Sequence, residues 1–209
     1  EHVRLSRNLR PSEVHTTLTE NDAAWELSAI TIDEPGLFAS ICGVLSYFGM
    51  NILRGQAMTN EHGVVLDIFQ FSDHEGYLKM NDAAKSEMID TLGNVISGKQ
   101  DIEKKLQGRH RAQITFPTPE RVKPVIRFND HYSQRFTVLE IVTNNAWGLL
   151  YRISQTISSE QCDIELVLIS TEGAKAIDVF HLTKAGEKLA NPVQHALAEA
   201  LEATFKHTS

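Results

Sequence analysis

The chain has 209 residues, 42% hydrophobic and 22% charged, an ordinary globular composition with room for one medium domain or two small ones. Lysine plus arginine total 20 against 27 aspartate plus glutamate, a net charge of -7, so no broad positive field draws nucleic acid or an anionic membrane. No apolar run approaches the roughly 18 to 20 residues that span a bilayer, and no basic-then-apolar leader opens the chain, so it reads as soluble and cytoplasmic.

In chain order, residues 1–11 read as a leader from a preceding domain, since the sequence begins at Glu1 without methionine. Residues 12–107 make the first predicted domain. "SEVHTTLTEND" can precede its first strand as the arm of a hairpin, and "AAWELSAITID" alternates enough to be that strand. "PGLFASICGVLSYFG" then places Leu37, Ile41, Val44, Leu45 and Phe48 at helical spacing, with Gly49 as the stop. "MNILRGQAMTN" and "GVVLDIFQFSD" are two strands around the turn Asn60-Glu61-His62-Gly63. A second helix is expected over "MNDAAKSEMIDTLGNVISGKQDIEKKL", capped by Asn81 or Asp82.

Residues 108–122 hold Pro117 and Pro119 with mixed charge and read as a semi-rigid linker, with Pro124 just beyond. "AQITF" at Ala112 to Phe116 inside it competes for the outer strand of the first domain. Residues 123–209 repeat the same order: "KPVIRFNDHYS" as lead-in, then "RFTVLEIVTNN", "WGLLYRISQTISSE", "DIELVLIST", "AKAIDVFHLTK" and "NPVQHALAEALEATF", the last with proline just inside its helix start.

The two domains align at an offset of 112 residues, which sets Thr31 on Thr143, Gly36 on Gly148, Leu37 on Leu149, Ile41 on Ile153 and Ile52 on Ile164. Dropping one turn residue then sets Asp67-Ile-Phe69 on Asp178-Val-Phe180. Matching positions in the hydrophobic pattern, in order, mark two copies of one domain. Each copy predicts an α+β fold of the split βαβ kind, a ferredoxin-like βαββαβ unit with helices on one face of an antiparallel sheet. A leading hairpin can take the outer-strand place without changing that architecture.

The sequence offers little catalytic or metal chemistry. Nine histidines are scattered without H-x-x-x-H or H-E-x-x-H spacing, and Cys42 and Cys162 lack a C-x-x-C partner, so reduced buried thiols are expected and no metal or cofactor. "GNVISGKQ" from Gly93 has the glycine and lysine spacing of a phosphate loop, but Gln100 stands where Ser or Thr would hold magnesium. His181 is a minor candidate for ligand contact. Asp67 and Asp178 are candidates for structural aspartates that accept backbone or loop hydrogen bonds, with a catalytic carboxylate pair as a rival reading. No catalytic residue is assigned.

One joint stands out as a binding candidate. The first turn of a helix leaves amides unpaired and carries about half a positive charge, so it favours a carboxylate by roughly 0.3 to 2 kcal/mol. In "TIDEPGLF", Pro35, Gly36 and Leu37 supply that turn, Asp33 can answer an ammonium group, and Asn51 offers both a donor and an acceptor. The bland reading keeps Asp33 as a helix cap and Asn51 as a residue that tolerates a left-handed bend. The second copy offers Asn145, Gly148, Leu149 and Asp163 at the matching places.

"DEPGLFASICGVLSYFGMNI" resembles the ACT domain, a small βαββαβ module that binds amino acids between paired copies. With "TNEHGVVLDIFQFSD", "FTVLEIVTNNAWGLLYRI", "STEGAKAIDVFHLT" and the lead-ins "VIRFNDHYS" and "EHVRLSRNLRPSEV", nearly the whole chain is similar to one region of a known family. That region is the tandem ACT pair at the C-terminus of the bacterial uridylyltransferase and uridylyl-removing enzymes of the nitrogen-regulatory PII protein. The resemblance implies a regulatory end without chemistry of its own, sensing glutamine for nucleotidyltransferase and metal-dependent hydrolase domains elsewhere and reaching the PII-type protein through them.

The resemblance also implies a carboxylate on the Gly36 and Leu37 amides, an ammonium on Asp33, and Asn51 on a side-chain amide or across the pairing interface. Pairing with a second chain as a homodimer stays open. Copy two departs from the family pattern: Asn144-Asn145-Ala146-Trp147 replaces the residues usual before the glycine, and Asp163 stands where copy one has Asn51. Copy one is therefore the expected binder. An ACT-like dimerisation or interaction module without ligand is the alternative.

Overall fold

The computed structural model describes residues 13–21, 24–108 and 122–206. The 1–11 leader, most of the 108–122 linker and the "AQITF" strand candidate lie outside them.

Strand β1 (His15–Asn21) runs antiparallel to β2 (Ala24–Ile32), with His15 opposite Ile30. This is the leading hairpin arm, and it takes the outer place beside the first strand of the copy. Helix α1 (Leu37–Tyr47) follows a turn in which Gly36, at φ 77, enters the left-handed region that a side chain strongly disfavours. Strands β3 (Asn51–Thr59) and β4 (Val64–Ser72) join through a turn in which Asn60 Oδ1 accepts the His62 and Val64 amides at 2.9 and 3.0 Å.

The long helix expected over 80–106 is in fact two, with a further short helix just ahead of them. Asp73 caps the short α2 (Tyr77–Met80) through the Tyr77 and Leu78 amides, and Asn81 Oδ1 caps α3 (Asp82–Ile96) through the Ala83 amide at 3.0 Å. Gly98 then turns left-handed at φ 70, and Asp101 Oδ1 accepts the Glu103 and Lys104 amides to start α4 (Ile102–Gly108). A continuous hydrophobic period hid two local signals for a break, a glycine and a cap. Gly93 lies inside α3, so the phosphate-loop candidate is helix.

Copy two repeats the order with β5 (Val125–Asn129), β6 (Thr137–Asn144), α5 (Leu149–Ser159), β7 (Asp163–Glu172), β8 (Lys175–Thr183) and α6 (Asn191–Lys206). All eight strands form one antiparallel sheet in the order β1-β2-β4-β3-β7-β8-β6-β5. That palindrome is two ferredoxin-like units meeting edge to edge at β3 and β7. There Arg54 lies opposite Ser170 and Met58 opposite Leu166, while Gln56 faces Leu168, its own counterpart in the repeat. Pairing about such a residue is what a local two-fold relation requires.

The helices cover one face of the sheet. Val65, Phe69 and Phe71 of β4 point into the core they make, and α1 packs antiparallel on α5 at its centre. Gly43 permits that approach, since a Cβ there would sit 2.8 Å from the Ile102 side chain and 3.0 Å from the Tyr151 ring. One apolar core, from Trp25 to Phe205, runs through both copies.

Candidate functional site

Because α1 and α5 run antiparallel, the N-terminus of each meets the C-terminal end of the other and the strand that follows. Two seams result. The first joins Asp33, Pro35, Gly36 and Leu37 to Ser154, Ser158, Gln161 and Asp163 around a cleft of about 350 Å³. The second joins Asn145, Gly148 and Leu149 to Ser46 and Asn51 around only about 30 Å³.

The sequence candidates are thus regrouped across the copies. Asn51 does not share a cleft with Asp33 and Gly36; it lies in the second seam, where its Oδ1 accepts from Asn145 Nδ2 at 2.9 Å. Asp163 leaves the second-copy set and lines the first seam instead. The signal was present in the repeat: if helices pair antiparallel, the residue entering each next strand belongs to the other copy's helix start.

In the first seam, Gly36 is the residue before the helix and no side chain caps it, so the reading of Asp33 as a helix cap fails. The Asp33 amide donates to Gly63 O at 2.8 Å. The Leu37 amide, expected on a ligand carboxylate, donates to Glu34 O at 3.0 Å. Among the described residues the Gly36, Phe38 and Ala39 amides donate to no backbone carbonyl, which leaves the positive end of α1 facing the cleft. Gln161 stands at φ 58 where copy one has Gly49 at φ 77, a left-handed backbone that a non-glycine residue adopts at some cost.

The first seam is also acidic. Asp33 reaches solvent, yet loss of water against the cleft wall raises its carboxyl above the ordinary range, with Glu165 and Asp163 adding repulsion. Asp163 is raised too, by desolvation first and Glu165 second. Carboxyls raised by lost hydration and by neighbouring carboxylates gain when a cation arrives.

The second seam is filled by its own residues. Trp147 Nε1 donates to Ser46 O at 2.9 Å, closing the C-terminal end of α1, and Arg152 Nη1 donates to Trp147 O at 3.0 Å. Gly148, at φ 67, repeats the turn of Gly36, and Leu149 again spends its amide on the turn, here on Ala146 O.

Beneath the helices Asp67 and Asp178 are 1% and 2% exposed. Asp67 does not behave as the hydrogen-bonded structural aspartate expected: both its carboxyl oxygens, and Oδ1 of Asp178, accept no hydrogen bond among the described residues. Burial pushes Asp178 up to about 7 and Asp67 well above the usual range, with Asp33 adding to the latter. Burial, then Asp67 and Asp178, keeps the Cys42 thiol well above its ordinary pKa. Cys42 and Cys162 are free and buried. His181 lies 5.7 Å from the Phe136 ring, outside both seams. Among the described residues no three His, Cys, Asp or Glu side chains gather as metal ligands, and no helix is long and apolar enough to cross a membrane.

Searched against models of known protein families, the chain matches none. Among solved structures it is similar to an aspartate kinase from Synechocystis, at TM-score 0.49 and 12% identity over 89% of this chain and 27% of that one. Among curated proteins it is 30% identical over 183 residues to the bifunctional uridylyltransferase/uridylyl-removing enzyme of Gluconobacter oxydans, covering 86% of this chain and 19% of the relative. The enzyme of the same description from Rhodospirillum rubrum is 28% identical over 216 residues, 99% of this chain and 23% of the relative. This chain of two repeated α+β units is therefore similar, along almost its whole length, to a stretch making up about a fifth of the bifunctional uridylyltransferase/uridylyl-removing enzymes.

Proposed function

We propose that the chain is an amino-acid-sensing regulatory module whose ligand occupies the first seam. The observation that carries this reading is the cleft of about 350 Å³ between the unpaired amides at the start of α1 and Asp33 on one side and Asp163 on the other. The amides suit an α-carboxylate and Asp33 an α-ammonium. Glutamine is the amino acid that the family resemblance points to.

A ligand clamped between the copies favours one arrangement of α1 against α5. A longer protein can use that preference to bias nucleotidyltransferase and hydrolase activity towards a PII-type signal protein, by a coupling of roughly 1 to 3 kcal/mol. Thermal denaturation with an amino-acid panel tests the reading. A ligand at one hundred times its Kd adds about 2.7 kcal/mol to the folded state, enough to raise the melting temperature by several degrees. Gly36→Val, which places a branched side chain at φ 77, is expected to abolish the rise while circular dichroism reports a folded chain. No rise with any amino acid leaves the second reading, an interaction module without ligand, which the self-filled second seam favours.

A further inference from the structure

We infer that the helix-free face of the eight-stranded sheet is an interface for a second copy of this chain, the two sheets packing face to face. The inference does not depend on any ligand at the seams.

The helices lie against Phe69, Phe71 and the other core residues on one side of the sheet. On β4 the residues that alternate with these, Leu66 and Ile68, point the other way. Strand register carries that outer face across the molecule. Leu66 lies opposite Met58 on β3, and Met58 opposite Leu166 on β7. Two residues along, Ile68, Gln56, Leu168 and Val179 form the next row. The result is a contiguous apolar patch, and at its centre, on the two middle strands, Met58 is 42% and Leu168 50% exposed. A patch of this kind marks a binding surface, where single exposed apolar residues would not.

Size, charge and symmetry all select a second copy as the occupant. Three such rows across eight strands, at about 4.8 Å between strands and about 6.8 Å between rows, cover roughly 800 Å², one partner's share of a standard stable interface. The chain carries a net charge of -7, yet the Asp, Glu, Lys and Arg residues of these rows are Glu26, Arg54, Arg127 and Glu140, balanced in sign. Two such faces therefore meet without the repulsion of the chains as wholes. The face also carries the local two-fold of the repeat, with Gln56 and Leu168 as counterparts at its centre. A two-fold axis along the strands, between β3 and β7, sets Met58 over Leu166 of the second copy and Ile68 over its Val179, and it opposes no two like charges.

Analytical ultracentrifugation and methionine footprinting of the whole chain test this. Interfaces of this size bind in the micromolar range or tighter, so the chain is expected to be a dimer at about 100 µM. Leu168→Glu puts the same charge into a two-fold interface twice and should weaken the dimer at least about tenfold. Met80→Glu, at a residue 78% exposed on α2, should leave it unchanged. Peroxide should oxidise Met58 more slowly at about 100 µM than at about 1 µM, with Met80 as the unprotected reference, a reading that requires no variant to fold. A monomer at about 100 µM, a dimer that survives Leu168→Glu, or a Met58 oxidised at one rate at both concentrations would overturn the inference.

Discussion

The two seams begin from the same turn, glycine and antiparallel helix pair, yet one is an open acidic cleft and the other is closed. The difference comes from five positions. Asp33 and Asp163 line the first seam from opposite copies, and neither bridges to the other wall among the described residues. Asn51 and Asn145 face each other across the second and join, and Trp147 covers what remains with its indole N–H on Ser46 O. The comparison teaches that a duplicated scaffold keeps its glycines and helix faces for folding, while the residues at the start of each next strand decide whether a seam stays open or closes on itself.

The strongest test of the comparison uses pH. Asp178 lines the second seam, and Asp67 lies within the field of Asp33 on the first. A carboxyl whose folded pKa is raised binds more protons folded than unfolded, so stability is full below about pH 4 and falls as pH rises towards the folded pKa, about 7 for Asp178. Chemical denaturation at several pH values should show the unfolding free energy falling across that window, by up to about 1.4 kcal/mol per pH unit for each such group. Asp178→Asn should flatten the decline, and Asp67→Asn should flatten it further. A flat native profile would mean that both carboxyls find partners.

Gly43→Val strikes both seams together, because α1 then meets Ile102 and Tyr151 too closely. Overpacking of this kind costs about 2 to 3 kcal/mol, read as a lower denaturation midpoint with an unchanged slope. Trp147→Ala should separate the seams. It removes a half-buried indole and a hydrogen bond, costs about 2 kcal/mol, and opens the second seam without weakening binding at the first. Equal weakening of ligand binding would show that the seams act as one unit. The smallest effect is expected from Asn145→Ala, about 1 kcal/mol for one hydrogen bond whose partner, Asn51, is 9% exposed.

Most of the scaffold was legible in the sequence. The repeat, the strand and helix order, the Gly36 and Gly148 turns and the leading hairpins all follow from local periodicity and turn chemistry. The second helix of copy one was misread as continuous because its apolar period carries on past Gly98 and outweighs the local signals of Gly98 and the Asp101 cap. The outer strand of copy one had two candidates that alternate equally well, and pairing with β2 decided for His15–Asn21. The residues that line the seams could be named from the sequence but not grouped, since every pair that faces across a seam lies about a hundred residues apart.

The sequence alone determined two α+β units, the glycines their joints require and a net acidic charge, because hydrophobic period, turn preference and charge are properties of neighbouring residues. Only the tertiary structure decided that Asp163 belongs with Asp33 and Asn145 with Asn51. A two-fold arrangement of antiparallel helices exchanges partners between the copies, and no local pattern records which copy's strand end a helix start will meet.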